Sequence, residues 1–228
     1  MNETDIYREW APPGPWRAAV ACCWEQHVGS ARTQRVLPDG HADLLFPGSG
    51  EIQIVGLHDR VDLVPLPAGT RITGIRLRPA AVAEAFRFPA SSLRNQTLAA
   101  QDVIGARAAR ALRDPKRRDA WLRSIQPDPR AELAIRGLAA RPVAEVADSL
   151  QMSDRHLRRL LLEHTGLSPK ALQRIVRFQK FVRAGDAGAT LADAAALAGY
   201  ADQPHLTREA RALAGLTPAR LIAERRPA

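Results

Sequence analysis

The chain has 228 residues, enough for two small domains, with 33 lysine and arginine residues against 24 acidic residues and a formal net charge of +9. The charge favours an anionic partner, and because the chain has no apolar run of membrane-spanning length and no signal peptide, we expect a cytoplasmic protein. Its two cysteines, Cys22 and Cys23, are adjacent, which excludes the usual spacing of a zinc site or a disulfide framework, so we expect no metal and no cofactor.

The N-terminal part of the chain predicts short strands separated by turns. Residues 1–16 contain three prolines and predict an irregular segment. Pro38-Asp39-Gly40 is a strong turn signal, and each strand candidate is a short apolar stretch near proline or glycine. The strand candidates are residues 16–25, 41–46, 52–55, 61–64 and 72–77. Short strands with frequent turns favour a small antiparallel β-barrel or sandwich.

Some residues of this part are candidates for chemistry, each with a plainer alternative. Cys22 or Cys23 is a candidate redox or alkylation sensor, because a thiolate is a good nucleophile; the alternative is a small buried side chain. His41 follows the turn, and it is either a residue that lines a pocket or an ordinary residue at the end of a strand. Arg76 and Arg78 share a strand face and form either an anion clamp or salt bridges.

The tryptophans of this part also allow two interpretations. They suggest an aromatic-lined site if their rings converge, and core packing if they do not. The three concerned are Trp10, Trp16 and Trp24.

From Pro79 onward the composition predicts helices. They are expected over residues 80–86, 99–112 and 119–125. Pro127-Asp128-Pro129 marks a boundary before a second helical part. We therefore expect an α+β protein with a β-rich domain over residues 1–95, a helical linker over residues 96–127 and an all-α domain over residues 128–228.

Residues 141–169 predict two short helices joined by a tight turn. The first has one apolar face formed by Val143, Val146, Ala147 and Leu150. Ser153 is a candidate N-cap for the second helix, and Gly166 ends it. The side chains expected to face inward are His156, Leu157, Leu160, Leu161 and His164. Arg155, Arg158 and Arg159 cluster on another face, which is typical of a helix-turn-helix whose second helix enters a DNA major groove. The alternative is a helical hairpin with a solvated basic face.

The pattern returns over residues 190–218, which strengthens the helix-turn-helix interpretation. The matched positions are Val143 with Leu191, Glu145 with Asp193, Ala147 with Ala195, Leu157 with Leu206, Arg159 with Arg208, Gly166 with Gly215 and Pro169 with Pro218. The register slips by one residue, and the slip falls in the turn. Gly-Leu-Ser/Thr-Pro ends both copies, with Ser168 and Thr217 as expected N-caps.

Residues 169–185 predict one helix that links the two copies. Its expected apolar stripe is formed by Leu172, Ile175, Val176 and Val182, with Phe178 and Phe181 beside it. Basic residues cover the other faces, where we expect solvent and some phosphate contact. Residues 131–228 hold 15 basic and 10 acidic residues, so the expectation of DNA binding depends on the motif and not on the charge.

The motifs DRHLRRLL, GLSP, LADAAALAGYADQPHLTR and GLTP resemble the DNA-binding domain of the AraC/XylS family of bacterial transcription regulators over residues 130–226. The resemblance implies seven helices, two helix-turn-helix units and a long connecting helix. It assigns DNA contacts to Arg155, Arg158, Arg159, Gln203, Thr207 and Arg208. Ala210 replaces a common phenylalanine, Leu221 lies near a common tyrosine, and Pro204 replaces a common polar residue. We therefore expect a thinner core and one lost contact in the second unit.

The segments PDGHADLLF (38–46) and GIRLRPAA (74–81) resemble an uncharacterised, barrel-like domain that often precedes AraC-type DNA-binding domains. The resemblance implies small-molecule sensing, dimerisation or both, without identifying a ligand. The expected partners are double-stranded DNA, RNA polymerase, a small-molecule effector and a second copy of the chain.

The enzymatic alternative is a DNA alkylation-repair or sensor protein that uses a reactive cysteine. It requires a cysteine-centred motif, which two adjacent cysteines do not supply. The sequence also contains no HExxH, phosphate loop, GxSxG or convincing carboxylate pair. We therefore expect a non-enzymatic transcription regulator with no catalytic residues.

Overall fold

The computed structural model describes residues 5–225, in which an antiparallel β region precedes a helical region, so the expected α+β class is confirmed. The strands are β1 (Ile6–Trp10), β2 (Val20–His27), β3 (Arg32–Val36), β4 (Ala42–Pro47), β5 (Gln53–Val55), β6 (Asp62–Leu66), β7 (Arg71–Leu77) and β8 (Thr97–Ala99). Six of them form one sheet in the spatial order β1-β2-β7-β4-β5-β8, while β3 and β6 pair as a separate ribbon.

The register of the central strands places apolar side chains on one face of the sheet. Cys23 on β2 lies opposite Ile75 on β7, which lies opposite Leu44 on β4, and all three are buried. On the other face Trp24 lies opposite Gly74. An added Cβ at Gly74 would lie 2.0 Å from the Trp24 indole, so the ring covers β7 at a position that only glycine can occupy.

Two expectations for the start of the chain are wrong. Within the segment expected to be irregular, β1 forms and pairs with β2, because pairing with a neighbouring strand orders a sequence that has no apolar alternation of its own. Trp16 does not begin a strand. It ends a 3₁₀ turn at Gly14–Trp16, and β2 starts only at Val20.

Five short helices connect the sheet to the C-terminal region. They are α1 (Val82–Phe86), α2 (Ala90–Leu93), α3 (Ala100–Ile104), α4 (Ala106–Ala111) and α5 (Pro115–Ser124). The helix expected over residues 99–112 is interrupted at Gly105, which has a φ of 82°. The helix expected from residue 119 begins earlier, because the Asp114 carboxylate accepts hydrogen bonds from the amides of Lys116 and Arg117.

Seven helices follow in the described part of the C-terminal region, as the resemblance implied. They are α6 (Pro129–Leu138), α7 (Val143–Ser149), α8 (Asp154–Thr165), α9 (Pro169–Asp186), α10 (Leu191–Ala198), α11 (Gln203–Ala214) and α12 (Pro218–Arg225). Asp128 caps α6 through the amides of Arg130 and Ala131. No helix within residues 5–225 is long and apolar enough to cross a bilayer.

One connected apolar core extends through the β region and the helical region. It includes Leu44 and Leu77 of the sheet, Phe86 of α1, Leu161 of α8 and Phe178 of α9. The helices α1 and α2 pack against α8. The β region is therefore in direct contact with the helices expected to bind DNA.

Candidate nucleic-acid interface

The first helix-turn-helix has the local structure that its sequence predicts. Val146 and Ala147 are buried on α7, and Ser153 caps α8 by accepting a hydrogen bond from the His156 amide at 3.3 Å. Gly166 ends α8 in the left-handed conformation, with a φ of 71°. These signals therefore set the start and the end of α8.

Three arginines lie on the exposed face of α8. Arg155, Arg158 and Arg159 are all exposed, as expected. Within residues 5–225 none of their guanidinium groups forms a hydrogen bond or an ion pair with another side chain, so all three are available to an external anion.

The inward face of α8 is formed by Leu157, Leu160, Leu161 and His164, which are buried. His156 is half-buried, at the N-terminal end of the face that the buried Leu160 and His164 continue. His164 lies 3.8 Å from the Asp128 carboxylate that caps α6, so the end of α8 is next to the start of the helical region.

The second helix-turn-helix repeats this arrangement with one difference in the turn. Thr190 caps α10 and Asp202 caps α11, the latter by accepting a hydrogen bond from the His205 amide at 2.6 Å. Gln151 and Gly199, at the same place in the two copies, both have positive φ values of 53° and 77°. The N-cap follows two residues later in the first copy and three residues later in the second. The expected one-residue slip in the turn is confirmed.

The residues expected to bind DNA in the second unit differ in exposure. Gln203 and Arg208 are exposed on α11, while Thr207 is half-buried. Pro204 lies in the first turn of α11, where its missing amide hydrogen costs no helical hydrogen bond. It offers no side-chain donor to DNA.

The core of the second unit is built around small side chains and one tyrosine. Ala210 and Leu221 are buried, and a groove of about 610 Å³ opens between α10, α11 and the start of α12. The buried Tyr200 ring packs edge-on against Phe181 and His205, and the Arg177 guanidinium lies over it. Burial raises the pKa of the Tyr200 hydroxyl, so this ring stays neutral.

The linking helix α9 extends from Pro169 to Asp186 and is capped by Ser168, which accepts a hydrogen bond from the Ala171 amide. Phe178 and Phe181, which were expected beside the apolar stripe, are fully buried. Val176, which was expected within the stripe, is only half-buried. At 18 residues the helix is ~27 Å long and extends one residue beyond the expected segment 169–185.

Polar contacts hold α9 against both units. Gln173 donates a hydrogen bond to the Arg141 carbonyl oxygen at 2.8 Å, beside α7. Arg174 pairs with Glu209 of α11 at 2.9 Å, and this hydrogen bond raises the pKa of the Arg174 guanidinium. The periodicity of the sequence could not predict either contact, because each joins residues more than 30 positions apart.

The β region contacts the C-terminal ends of both α8 and α11. A Cβ added at Gly166 would lie 2.4 Å from the Ala90 carbonyl oxygen, so α2 packs directly on the end of α8. At the matching end of α11, Arg35 donates a hydrogen bond to the Ala214 carbonyl oxygen at 2.7 Å. Gln179 of α9 also donates to the Pro38 carbonyl oxygen at 2.6 Å. None of these contacts was expected from the sequence.

Neither cysteine of the β region has the properties of a reactive thiol. Burial raises the pKa of Cys22 to about 11 and also raises the pKa of Cys23. Both thiols therefore stay protonated near neutral pH, where a nucleophilic or metal-binding cysteine would need to be a thiolate.

The three tryptophans point to separate partners. Trp16 donates a hydrogen bond to Asp119, and Trp24 donates one to Asp43 at 2.7 Å, while Trp10 is 47% exposed. Core and surface packing thus explain them better than a shared aromatic site.

Arg76 forms the centre of a cluster of charges. Its guanidinium lies 3.0 Å from Glu9, 3.3 Å from Asp43 and 3.5 Å from Asp39. Burial alone would raise the pKa of Asp39, but its hydrogen bond to His41 and the charges of His41 and Arg76 lower it to about 2. Burial raises the pKa of Asp43. Arg76 is thus neutralised by these carboxylates, and Arg78 donates instead to the Arg17 carbonyl oxygen, so the two do not form an anion clamp.

Two domain models match the chain, one in its helical part and one in its β-rich part. The model of a helix-turn-helix domain matches residues 130–224, and the model of a domain of unknown function (DUF6597) matches residues 8–99. No curated protein matches the chain. One structure of ToxT from Vibrio cholerae O395 aligns with 95% of this chain and 97% of that chain, at 9% identity and a TM-score of 0.48. A second ToxT structure from Vibrio cholerae aligns with 86% and 91%, at 11% identity and a TM-score of 0.44.

Proposed function

We propose that the chain is a DNA-binding transcription regulator of the AraC type and that it binds a specific two-part DNA site through α8 and α11. The observation that carries this proposal is the repeated, capped helix-turn-helix with three unpaired arginines on the exposed face of α8. An exposed helix of this kind fits the major groove.

The first unit supplies most of the sequence discrimination. Arg155, Arg158 and Arg159 contact base edges, because a guanidinium pairs bidentately with guanine and these three have no competing partner within residues 5–225. In the second unit Gln203 contacts a base, since a side-chain amide pairs with adenine, while Thr207 and Arg208 hold phosphates. The half-burial of Thr207 supports the phosphate role, which needs only the hydroxyl to reach the DNA backbone.

The rest of the chain regulates this binding. We assign residues 128–228 to DNA binding, residues 96–127 to a helical linker and residues 1–95 to effector sensing or dimerisation. The contacts of Arg35 and Ala90 with the ends of the two reading helices support a regulatory role for the β region. RNA polymerase is the further partner that transcription control requires.

The chain acts without catalysis in this proposal. The alkylation-repair alternative needs a reactive thiolate, and the raised pKa values of Cys22 and Cys23 speak against it. Incubation with alkylated DNA followed by intact-mass measurement would reveal a transferred methyl group, and that result would contradict the non-enzymatic assignment.

Selection of bound sequences from random DNA tests the proposal directly. The full chain should enrich a non-palindromic motif with two parts, and the double variant Arg158→Ala/Arg159→Ala should lose one part of it. A control variant, Arg107→Ala/Arg110→Ala, removes the same charge from exposed positions of α4 and should enrich the wild-type motif. Failure of the wild-type chain to enrich any motif at low salt would overturn sequence-specific binding.

A further inference from the structure

A cavity of about 490 Å³ lies between α1 and the helices α3–α5, in the segment that connects the sheet to the helical region. Its lining comes from residues 84–126 alone, so it is separate from both reading helices. Its apolar walls are formed by Phe86, Val103, Ile104, Leu112, Trp121 and Ile125. The Phe86 and Trp121 rings lie 6.3 Å apart and are inclined by 32°, which leaves one side of the cavity aromatic. Such a site suits a flat apolar molecule.

The charged groups around this cavity are predominantly positive. Arg87 and Arg117 line it together with a single carboxylate, Glu84. Within residues 5–225 neither guanidinium forms a hydrogen bond or an ion pair with another side chain. Two free guanidinium groups beside an apolar wall complement a ligand with one negative charge, because guanidinium pairs with carboxylate through two parallel hydrogen bonds.

Arg87 occupies a backbone position that favours glycine. It ends α1 in the left-handed conformation, with φ 47° and ψ 37°, and its amide donates to the Ala83 carbonyl oxygen at 2.8 Å. The three other left-handed ends of described α-helices are Gly166, Gly199 and Gly215. An arginine at such a position costs stability, and strain of this kind is concentrated at binding sites.

We propose that this cavity binds a small aromatic carboxylate, with the aromatic body against Phe86 and Trp121 and the carboxylate between Arg87 and Arg117. The proposal rests on the proposed function, since the ligand acts as the effector of a regulator. It places the effector site between α1, near the end of residues 1–95, and the helices α3–α5 of the linker.

The position of α1 links this cavity to DNA binding. One side of α1 lines the cavity through Ala85 and Phe86, and the same helix packs against α8. A ligand that shifts α1 therefore shifts the helix with the three exposed arginines. By linkage, DNA must change the affinity for the ligand by the same factor as the ligand changes the affinity for DNA.

Calorimetric titration of the full chain with 1-naphthaleneacetate, in the absence of DNA, tests the site. The neutral analogue 1-naphthaleneacetamide has the same rings and should bind at least tenfold more weakly. Arg117→Gln should lower the affinity for 1-naphthaleneacetate at least tenfold and leave the affinity for 1-naphthaleneacetamide unchanged. Arg110→Gln, at an exposed arginine of α4 that does not line the cavity, should bind both probes as the wild type does.

Arg87→Gly separates a binding role from a structural one. Glycine relieves the left-handed strain, so the melting temperature should rise while the affinity for the carboxylate falls. Ala108→Trp, which fills the cavity from an exposed wall position, should abolish binding of both probes.

The proposal is overturned if the wild-type chain binds neither probe, binds both equally, or binds the carboxylate with an affinity that Arg87→Gly and Arg117→Gln leave unchanged. Binding that leaves the DNA dissociation constant unchanged overturns its role as an effector site. Because the titration contains no DNA, failure of the cavity proposal is distinguishable from failure to bind DNA, which only the sequence selection measures.

Discussion

At the scale of single residues, exposure separates the side chains that are free to bind from those that hold the fold. Arg158 and Arg208 are exposed on α8 and α11, whereas Arg76 is largely enclosed by carboxylates. An exposed guanidinium contributes little to stability and is available to DNA. An enclosed one cannot be removed without leaving unpaired charges behind.

Arg158→Ala and Arg208→Ala should have different effects on DNA binding. Loss of a guanine contact at Arg158 should cost about 1–3 kcal/mol and relax the preference at one or two base pairs. Arg208→Ala should weaken binding more evenly across sequences and reduce the salt dependence, because a phosphate contact is sequence-independent. Base-preference profiles and salt titrations of both variants decide between the roles. An equally sharp change in preference for Arg208→Ala would contradict this division.

Gln151→Gly should stabilise the first helix-turn-helix. Gln151 has a φ of 53°, which glycine adopts without strain, and the matching position in the second unit is already Gly199. The free energy of unfolding should rise by about 0.5–1 kcal/mol, because relief of the left-handed strain exceeds the greater backbone entropy of glycine. Urea denaturation measures this change. A lower stability of the variant would mean that the Gln151 side chain makes a contact more valuable than the strain.

Arg76→Met should destabilise the β region in a pH-dependent way. At pH 7 the loss should be about 3 kcal/mol, because the carboxylates of Asp39, Asp43 and Glu9 lose their partner. The folded-state pKa of Asp39 is about 2, below its ordinary value of 3.8. Its stabilising contribution is therefore complete above about pH 4 and is lost as the pH falls towards 2. Asp43 has a raised pKa and is protonated at a higher pH than Asp39, so the difference in unfolding free energy between wild type and variant should narrow as the pH falls, first with Asp43 and then with Asp39.

Denaturation of both proteins between pH 2 and 7 measures this effect. Arg78→Met is the control, because the Arg78 guanidinium donates to a carbonyl oxygen and titration leaves that bond intact. A pH-independent difference for Arg76→Met would show that packing, and not the charge cluster, accounts for the loss.

At the scale of secondary-structure elements, α9 determines how the two reading helices are placed. It is a single 18-residue helix, buried along one side through Phe178 and Phe181 and tied to α11 by the Arg174–Glu209 pair. A helix held in this way has a fixed length of ~27 Å. The two units are therefore expected to bind neighbouring major-groove segments on one face of DNA, about 34 Å apart.

Changing the spacing between the two parts of the DNA site should expose this fixed geometry. An insertion of about 5 base pairs turns the second part to the opposite face of the helix, and binding should fall to the level of the first unit alone. An insertion of about 10 base pairs restores the face but not the distance, so binding should stay low. Fluorescence anisotropy measures the affinity for the original site and for the two sites with insertions, and so tests this expectation. Full affinity at the longer spacing would show that α9 does not hold the units rigidly.

At the scale of the whole molecule, the β region supports both DNA-binding units at matching points. Gly166 and Gly215 end α8 and α11 in the same conformation, with φ values of 71° and 70°. The first is covered by the backbone of Ala90, and the second lies 3.5 Å, measured from an ideal Cβ, from the flexible end of Arg35. Movement of the β region is thereby linked to both reading helices.

Gly166→Ala should therefore destabilise the full chain more than Gly215→Ala. Both changes cost about 1–2 kcal/mol for the left-handed conformation, and only Gly166→Ala adds a clash with the Ala90 backbone, which should cost about 2 kcal/mol more. In a fragment of residues 128–228 the two costs should become equal. Denaturation of both variants in both lengths provides the measurement, after circular dichroism has shown that the fragment is folded. A difference that persists in the fragment would locate the clash within the helical region.

The sequence by itself determined the helix-turn-helix repeat and the strands at the centre of the sheet. Ser153, Ser168 and Thr217 were expected caps and act as such, because capping depends on bonds between residues three positions apart. The burial of Leu157 and Leu161 followed from helical periodicity for the same local reason. The DNA contacts assigned from the sequence stay predictions, although the structure leaves Arg155, Arg158, Arg159, Gln203 and Arg208 exposed.

Only the tertiary structure decided which distant segments meet. The strand β1 exists because β2 pairs with it, the Arg76 cluster joins residues from three strands and a turn, and Arg35 reaches a carbonyl oxygen 179 positions away. The cavity beside Arg87 likewise forms where α1 faces α5. Local propensity determines how a segment folds on itself, whereas these features depend on packing between segments, whose free energy no short stretch of sequence encodes.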